Sequence, residues 1–302
     1  MRQNKHGMWI EASYGPPPIK ALAVREQRQI VKSLDRLDLR RDDAYISLTG
    51  LGILHQGLPT RTIGMNIDQS LFRVRTNAPK KVETIADLSS PPAEYVKGYQ
   101  RCNAPQEPMF YGSDEPSTAL MESRVKAGQE VYLCEWRCNG QIPVNHTMVP
   151  RLSDPKAVVS KNEKFLVDYL RKKFSERIVD DFSHKYKITA FMAKLLTTQM
   201  PKSERLNIAD DGLIGIVYPS VRDQKKRLNV ALHPALVERS LNAVNVIQAT
   251  ITSVSARGYR LRVEDVSKSI EGHTIIWSGE TGSLPPRWPA ERSSTVIGEY
   301  EV

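Results

Sequence analysis

Cysteine is scarce in this sequence: Cys102, Cys134 and Cys138 are all it holds. An odd set of three closes no disulfide framework, and a reducing cytoplasm is the expected setting. Cys134 and Cys138 lie close together, but no second Cys or His pair follows at zinc-site spacing, so no metal is expected. No apolar run reaches the ~18 residues that a membrane span requires, and no membrane association is expected. The opening stretch "MRQNKHGMWIEASYGPPP" lacks the apolar centre of a secretory signal. Two glycine signatures are also missing. Gly50, Gly52 and Gly57 do not make the G-x-G-x-x-G of a dinucleotide-binding Rossmann turn. Ser220 sits in no G-x-S-x-G elbow, which argues against a serine hydrolase even with His233 nearby. Internal repeats and long low-complexity tracts are absent as well.

What is present describes a globular protein. The 302 residues suit about two domains, and a hydrophobic content of 40% is ample for a core. The net charge of +9 favours polyanions such as nucleic acid, phosphorylated cofactors or acidic partners. It is dispersed over clusters such as Arg171-Lys172-Lys173 and Lys225-Lys226-Arg227, which read first as solvated surface.

Along the chain, residues 1 to 18 read as irregular and end in Pro16-Pro17-Pro18. A helix is predicted from Ala21 to Leu37 on the stripe Val24, Ile30, Val31, Leu34 and Leu37. "YISLTGLGIL" (Tyr45 to Leu54) reads as strand or turn. "QSLFRVRTN" reads as a strand with Leu71, Arg73 and Arg75 on one face and Phe72 and Val74 on the other. Met109-Phe110-Tyr111 is a short strand. Asp114 then caps a helix with Pro116 in its first turn, and Gly128 stops it. "EVYLCEWRC" is a half-buried strand. Between Lys156 and Thr198 the pattern is helical, with a capping box at Ser160 and Glu163 and a second helix from Ser183 to Leu196. Leu213 to Tyr218 is a buried strand that delivers Ser220 at its exit, and Asn229 to Leu232 is the next. Strand-like segments return after Leu241 as an antiparallel extension, and the tail from Thr281 reads as loop. The expected division is an N-terminal extension over 1–60, a central domain over 61–240 and a C-terminal β extension with its tail over 241–302.

Taken singly, the polar residues that could line a cleft have plain explanations. Glu122 has Lys126 at i+4, as a surface ion pair would. Tyr111 suits a core, Ser220 a turn, and Arg73 with Arg75 an exposed strand face. In chain order they resemble the RES domain, a family named for an arginine, a glutamate and a serine. Phe72-Arg73 matches its aromatic-Arg. Gly98-Tyr99-Gln100-Arg101-Cys102-Asn103 matches its second arginine segment, with Gln100 and Cys102 in place of the usual glycine and aromatic. Pro108 to Ser113, "PMFYGS", matches its tyrosine strand, and "TALME" its glutamate helix. Asp211 to Ser220, "DGLIGIVYPS", followed by Asn229 to Leu232, matches its closing strands. Tyr186 to Thr189 matches the helix ahead of them. The likeness covers about Ser70 to Pro234.

The resemblance implies an α+β fold similar to ADP-ribosyltransferases and cleavage of NAD at the nicotinamide–ribose bond. NAD is then a substrate. Glu122 would stabilise the oxocarbenium-like ribose. Arg73, with Arg101 beside it and Arg75 as the other choice of family arginine, would bind the pyrophosphate. Tyr111 would wall in the nicotinamide, and Ser220 would orient the ribose or amide. Small members are toxins held silent by an antitoxin, so an antitoxin or immunity protein is an expected partner, and the extensions are candidates for that contact or for a homo-oligomer. Two other readings stay open: mono-ADP-ribosyl transfer to a protein or nucleic acid, and a non-catalytic nucleic-acid-binding module.

Overall fold

A computed structural model describes residues 9–15, 20–41, 49–58, 60–146, 148, 160–198, 212–223, 227–255, 258–279, 291–292 and 299–301. Thirteen strands are described in these residues: β1 (Trp9–Gly15), β2 (Thr60–Met65), β3 (Ser70–Thr76), β4 (Phe110–Ser113), β5 (Glu130–Cys138), β6 (Ile142–Asn145), β7 (Gly215–Pro219), β8 (Leu228–Leu232), β9 (Leu241–Val254), β10 (Tyr259–Glu271), β11 (Thr274–Trp277), β12 (Glu291–Arg292) and β13 (Glu299–Glu301). The α-helices are α1 (Val24–Asp35), α2 (Thr49–Gln56), α3 (Pro116–Glu122), α4 (Lys161–Phe174), α5 (Lys187–Thr198) and α6 (Pro234–Ser240). The fold is α+β, with helices towards the N-terminal side of the chain and strands closing it.

The strands run in the order β1-β2-β6-β7-β8-β4-β3-β5-β9-β10-β13-β12, with β11 on β10. Among the described residues, only β6 and β7 pair in parallel. The sheet has a seam. Strands β4 and β8 pair over four residues, and β3 and β5 over seven, but β3 meets β4 through the single described pair Phe72–Ser113. Past that pair the two strands part, and a cleft opens between the halves of the sheet.

Three apolar clusters hold this arrangement. On one side of the β4–β8–β7 half, Leu51, Leu54, Leu166, Leu170, Phe174, Ile188, Met192 and Leu196 pack helices α2, α4 and α5 onto Ile216, Tyr218 and Ala231. On the other half, Ala119 and Leu120 of α3 pack on Phe72, Val131, Leu133 and Ile247. The opposite face joins both halves through Leu71, Phe110, Trp136, Val217, Val230 and Leu232. Period-two alternation along each strand assigns its residues to one face or the other.

Local chemistry explains the helix ends. At α4 the Ser160 hydroxyl accepts from the Glu163 amide at 3.3 Å, and the Glu163 carboxylate accepts from the Ser160 amide at 2.7 Å. This reciprocal box satisfies two of the amides that a helix start leaves orphaned. Arg171, Lys172 and Lys173 fill the last turn, where positive charge suits the helix dipole.

Several expectations are corrected. The described part of "YISLTGLGIL" belongs to helix α2: burying Leu51 and Leu54 on one face, with Leu58 buried just past the helix end, outweighs the low helix propensity of Gly50 and Gly52. Gly50 serves close approach, because a β-carbon there would meet Ile30 of α1 at 3.0 Å. Trp9–Gly15, read as irregular, pairs with β2; Pro16–Pro18 lie outside the described residues. Strand β5 is buried on both faces from Val131 to Trp136 rather than half-buried, because it lies between β3 and β9 with an apolar cluster on each side. The first turns of the expected Ser183 helix form a 3-10 segment over Asp180–Tyr186, and α5 starts at Lys187. Helix α3 ends at Glu122, well before Gly128, and Asp114 does not cap it. Instead the Asp114 carboxylate accepts from the Leu228 amide at 3.2 Å, tying the helix entry to β8. Strand β9 runs along β5 from Glu130 to Cys138. Most of the tail lies outside the described residues, and Glu299–Glu301 pairs with β10.

Candidate active site

The cleft at the seam has a volume of about 560 Å³. Its walls come from β3 (Phe72, Arg73, Val74), the turn around Arg101, β4 (Tyr111, Ser113), the end of α3 (Glu122, Arg124), and the ends of β7 and β8 (Tyr218, Asn229). Among the described lining residues Glu122 is the one acid, and five are arginines: Arg73, Arg101, Arg124, Arg177 and Arg222.

Helix α3 is short, and its buried face, Thr118, Ala119 and Leu120, fixes its roll. Glu122, in its last turn, is thereby turned towards β7 and β8. Its Oε1 accepts from the Ser220 hydroxyl at 2.6 Å and from the Asn229 side-chain amide at 2.9 Å. Both bonds fall on the same oxygen, and among the described residues none reaches Oε2. The pair with Lys126 suggested by spacing alone is not made.

Ser220 is held in turn. Its oxygen accepts from the backbone amides of Arg222 at 3.2 Å and Asp223 at 3.0 Å. With two amides aimed at its lone pairs, the hydroxyl proton is left for Glu122. Asn229 is fixed by the Ser113 hydroxyl, which donates to its Oδ1 at 2.7 Å and so directs its NH₂ towards the carboxylate.

Arg73 leaves β3 on the side opposite Phe72 and Val74. Its guanidinium lies over the Phe110 ring at 5.2 Å and donates to the Tyr111 carbonyl at 2.9 Å, bridging the gap where β3 and β4 part. Burial, with Arg75 adding like charge, pulls its pKa down to about 10, against the opposing pull of Tyr111. The group therefore stays cationic at neutral pH. Arg75 donates to the Asp87 carbonyl at 2.9 Å and does not line the cleft.

Arg101 is set in a tight turn closed by the Gln100 amide on the Asn103 carbonyl at 3.0 Å. Its guanidinium donates to the Phe174 carbonyl at 2.6 Å and the Glu176 carbonyl at 3.1 Å, between the rings of Tyr186 and Tyr218. It lines the cleft and at the same time pins the end of α4. The Tyr111 ring faces the cleft, but its hydroxyl is engaged elsewhere: it donates to Asn103 Oδ1 and accepts from the Cys102 amide at 3.0 Å. Burial pushes the Tyr111 phenol well up and the Cys102 thiol up to about 12, so both remain protonated.

Glu122, Arg73, Arg101 and Tyr111 thus line one cleft; Ser220 is buried behind it, bonded to Glu122, and Arg75 does not line it. Ser220 contacts the carboxylate directly, a role sequence spacing did not suggest. His233, close to Ser220 in sequence, accepts from the Ala235 amide through Nδ1 and caps α6. Four lining residues carry no role that the sequence predicts. Asn229 lies in a motif that assigns it none. Arg124 and Arg222 each stand two positions after a family residue, Glu122 and Ser220, a repeated spacing that could have drawn notice. Arg177 follows α4 with no sequence signal. No group of three or more His, Cys, Asp or Glu that could hold a metal occurs among the described residues, and none of the helices there is long and apolar enough to cross a membrane.

A family model of the RES domain matches residues 70–252, more than half of the chain. The chain belongs to the RES domain family. The match starts where the sequence motifs start and extends past Pro234 through nearly all of β9, as the pairing of that strand with β5 would require. No curated protein matches the chain. Family membership supports a toxin-like, NAD-related domain.

Proposed function

We propose that this protein consumes NAD by breaking the bond between nicotinamide and ribose. The observation that carries the reading is a carboxylate, single among the described lining residues, in an arginine-lined cleft, with both of its described hydrogen bonds on Oε1. As the bond from C1′ to the ring nitrogen breaks, its electron pair neutralises the pyridinium and positive charge develops on the ribose. The Oε2 edge of Glu122 would face that charge, and the fixed Ser220 and Asn229 donors hold the carboxylate in place before the charge appears. Arg73 and Arg101 supply planar donors suited to the pyrophosphate, and the Tyr111 ring offers an apolar wall for the departing base. A water oxygen then bonds to C1′ and gives its proton to solvent, or a phosphate bonds to C1′ through an oxygen that carries no proton. An activity that drains NAD needs restraint in the cell that makes it, which fits an antitoxin or immunity protein as partner.

The test is nicotinamide release from labelled NAD by the purified chain and by Glu122→Gln. The glutamine keeps an oxygen for Ser220 and Asn229 and loses only the charge. Turnover should fall about a hundredfold or more, as for loss of one preorganised electrostatic group, at an unchanged melting temperature. Near-normal turnover removes the glutamate from the mechanism. Label appearing as ADP-ribose or its phosphate supports this reading. Label on a macromolecule supports mono-ADP-ribosyl transfer, which the net charge of +9 also suits.

A further inference from the structure

Helix α3 is only seven residues long, and a helix of two turns has little stability of its own. The position of Glu122 must be fixed from outside the helix. Part of that support is apolar, through Ala119 and Leu120. Another part is polar and lies one turn back from the carboxylate. Thr118 precedes Glu122 by four residues, so the two side chains share a flank of the helix. The Thr118 hydroxyl donates to Asp223 Oδ2 at 2.8 Å. Both residues are buried, Thr118 completely.

Asp223 is also the residue whose backbone amide donates to the Ser220 oxygen at 3.0 Å. One residue therefore grips both halves of the Glu122–Ser220 pair: the serine through its amide, and the helix of the glutamate through its carboxylate. The contacts close a ring. It runs from Glu122 to Ser220, from Ser220 to Asp223, from Asp223 to Thr118, and along one turn of α3 back to Glu122. Arg227 supports the same join from the start of β8: it donates to the Ser117 hydroxyl at 2.7 Å and lies 3.7 Å from Asp223 Oδ2. Burying a carboxylate costs free energy unless its oxygens are matched, and an apolar contact would seat the helix as closely. What the polar pair adds is direction, because a hydrogen bond fixes an angle that apolar burial leaves free.

We infer that Asp223 is a positioning residue for Glu122: it locks the Ser220 turn to α3 through Thr118 and so sets the alignment of hydroxyl and carboxylate before substrate arrives. The inference rests on the NAD-cleaving reading of the cleft and adds to it a pair that works from behind. Neither Asp223 nor Thr118 is among the residues lining the cleft, so both act through Ser220 and Glu122.

The experiment measures nicotinamide release from labelled NAD by the full chain and by Thr118→Val, Thr118→Ser, Asp223→Ala, Asp223→Asn and the double variant Thr118→Val with Asp223→Ala. Valine keeps the shape of threonine and removes the hydroxyl; serine keeps the donor and asparagine an acceptor. Rates are taken below every melting transition. Expected for Thr118→Val and Asp223→Ala is a kcat about tenfold lower or more, as when a supporting change misplaces a reacting group, with KM for NAD within about twofold. Thr118→Ser and Asp223→Asn recover most of the rate, and the double variant is no slower than the worse single one, because both changes break one bond. Leu51→Ala, which weakens the core without touching the ring, keeps its kcat. An unchanged kcat in the folded variants overturns the inference, as do a rise in KM alone, additive losses in the double variant, no recovery by serine, or an equal fall in Leu51→Ala. If Asp223→Ala does not fold, the two Thr118 variants decide. If the parent cleaves no NAD, that reading fails and hydrogen exchange decides the positioning: the Arg222 and Asp223 amides, which donate to Ser220, exchange about tenfold faster in Thr118→Val and at the parental rate in Thr118→Ser. Equal protection in all three overturns it.

Discussion

Ser220 and Glu122, separated by 98 residues in sequence, meet through a 2.6 Å hydrogen bond in which the hydroxyl donates to Oε1. The bond joins the exit of a buried strand to the last turn of a short helix whose Glu122 lines the cleft. Ser220→Ala removes that donor and also the oxygen that accepts two backbone amides. Turnover is expected to fall about tenfold or more, with KM for NAD changing less than kcat, because the carboxylate loses orientation and the pyrophosphate contacts remain. Steady-state kinetics on the folded variant check this; a rise in KM alone would place Ser220 on the substrate instead.

Asn229 offers a different handle on the same carboxylate. Asn229→Asp sets a second carboxyl 2.9 Å from Glu122 Oε1. Two carboxyls that close share a proton, so ionisation of the pair moves to higher pH. The pH dependence of kcat should show its acidic limb shifted upward, whereas Asn229→Ala should lower kcat without that shift.

The two strand arginines separate cleanly. Arg73→Ala is expected to raise KM for NAD about tenfold or more through loss of a charge-assisted contact, and Arg73→Lys to raise it less. Arg75→Ala removes a donor to the Asp87 carbonyl outside the cleft, so it should cost about 1 kcal/mol of stability and leave KM within about twofold. Parallel KM and denaturation measurements on the variants decide the point.

Stability should respond to pH through two buried groups of opposite sign. Burial lowers His55 to about 4 from its usual 6.5, so the folded protein binds fewer protons there than the unfolded chain. Its contribution is complete above pH 6.5 and is lost as the pH falls towards 4. Burial raises Asp114 to about 7, so its contribution is complete at low pH and is lost as the pH rises from near 4 to 7. Asp114→Asn keeps an oxygen for the Leu228 amide and should melt higher than the parent at pH values above 7. His55→Gln should flatten the acid side. Melting curves across pH read both.

In the core, Leu51→Ala empties a fully buried position between α2 and its neighbours. A loss of about 2–5 kcal/mol is expected, read as a lowered denaturation midpoint at an unchanged slope.

Much of the fold could be read from local pattern. The strand around Arg73, the buried run ending at Ser220 and the Ser160–Glu163 box each depend on neighbours in sequence. What could not be read depends on distant partners. Helix α2 looks unlike a helix until Leu51, Leu54 and Leu58 find α5. Trp9–Gly15 looks irregular until β2 supplies a partner. At the cleft, Glu122, Arg73, Arg101, Tyr111 and Ser220 stood out because their flanking motifs are ordered along the chain. Asn229 acquires a role only through Ser113 and Glu122, each over a hundred residues away. Arg177 reaches the cleft wall from between two residues whose carbonyls accept from Arg101 and Arg124. Arg75 alternates with Arg73 at the same face of the strand, and no local pattern says which of the two reaches the seam.

The seam draws its residues from both ends of a long stretch of chain, Phe72 and Arg73 first and Asn229 last. Any nonsense or frameshift lesion ahead of codon 229 therefore yields a polypeptide that lacks the amide on the carboxylate and the strand that carries it.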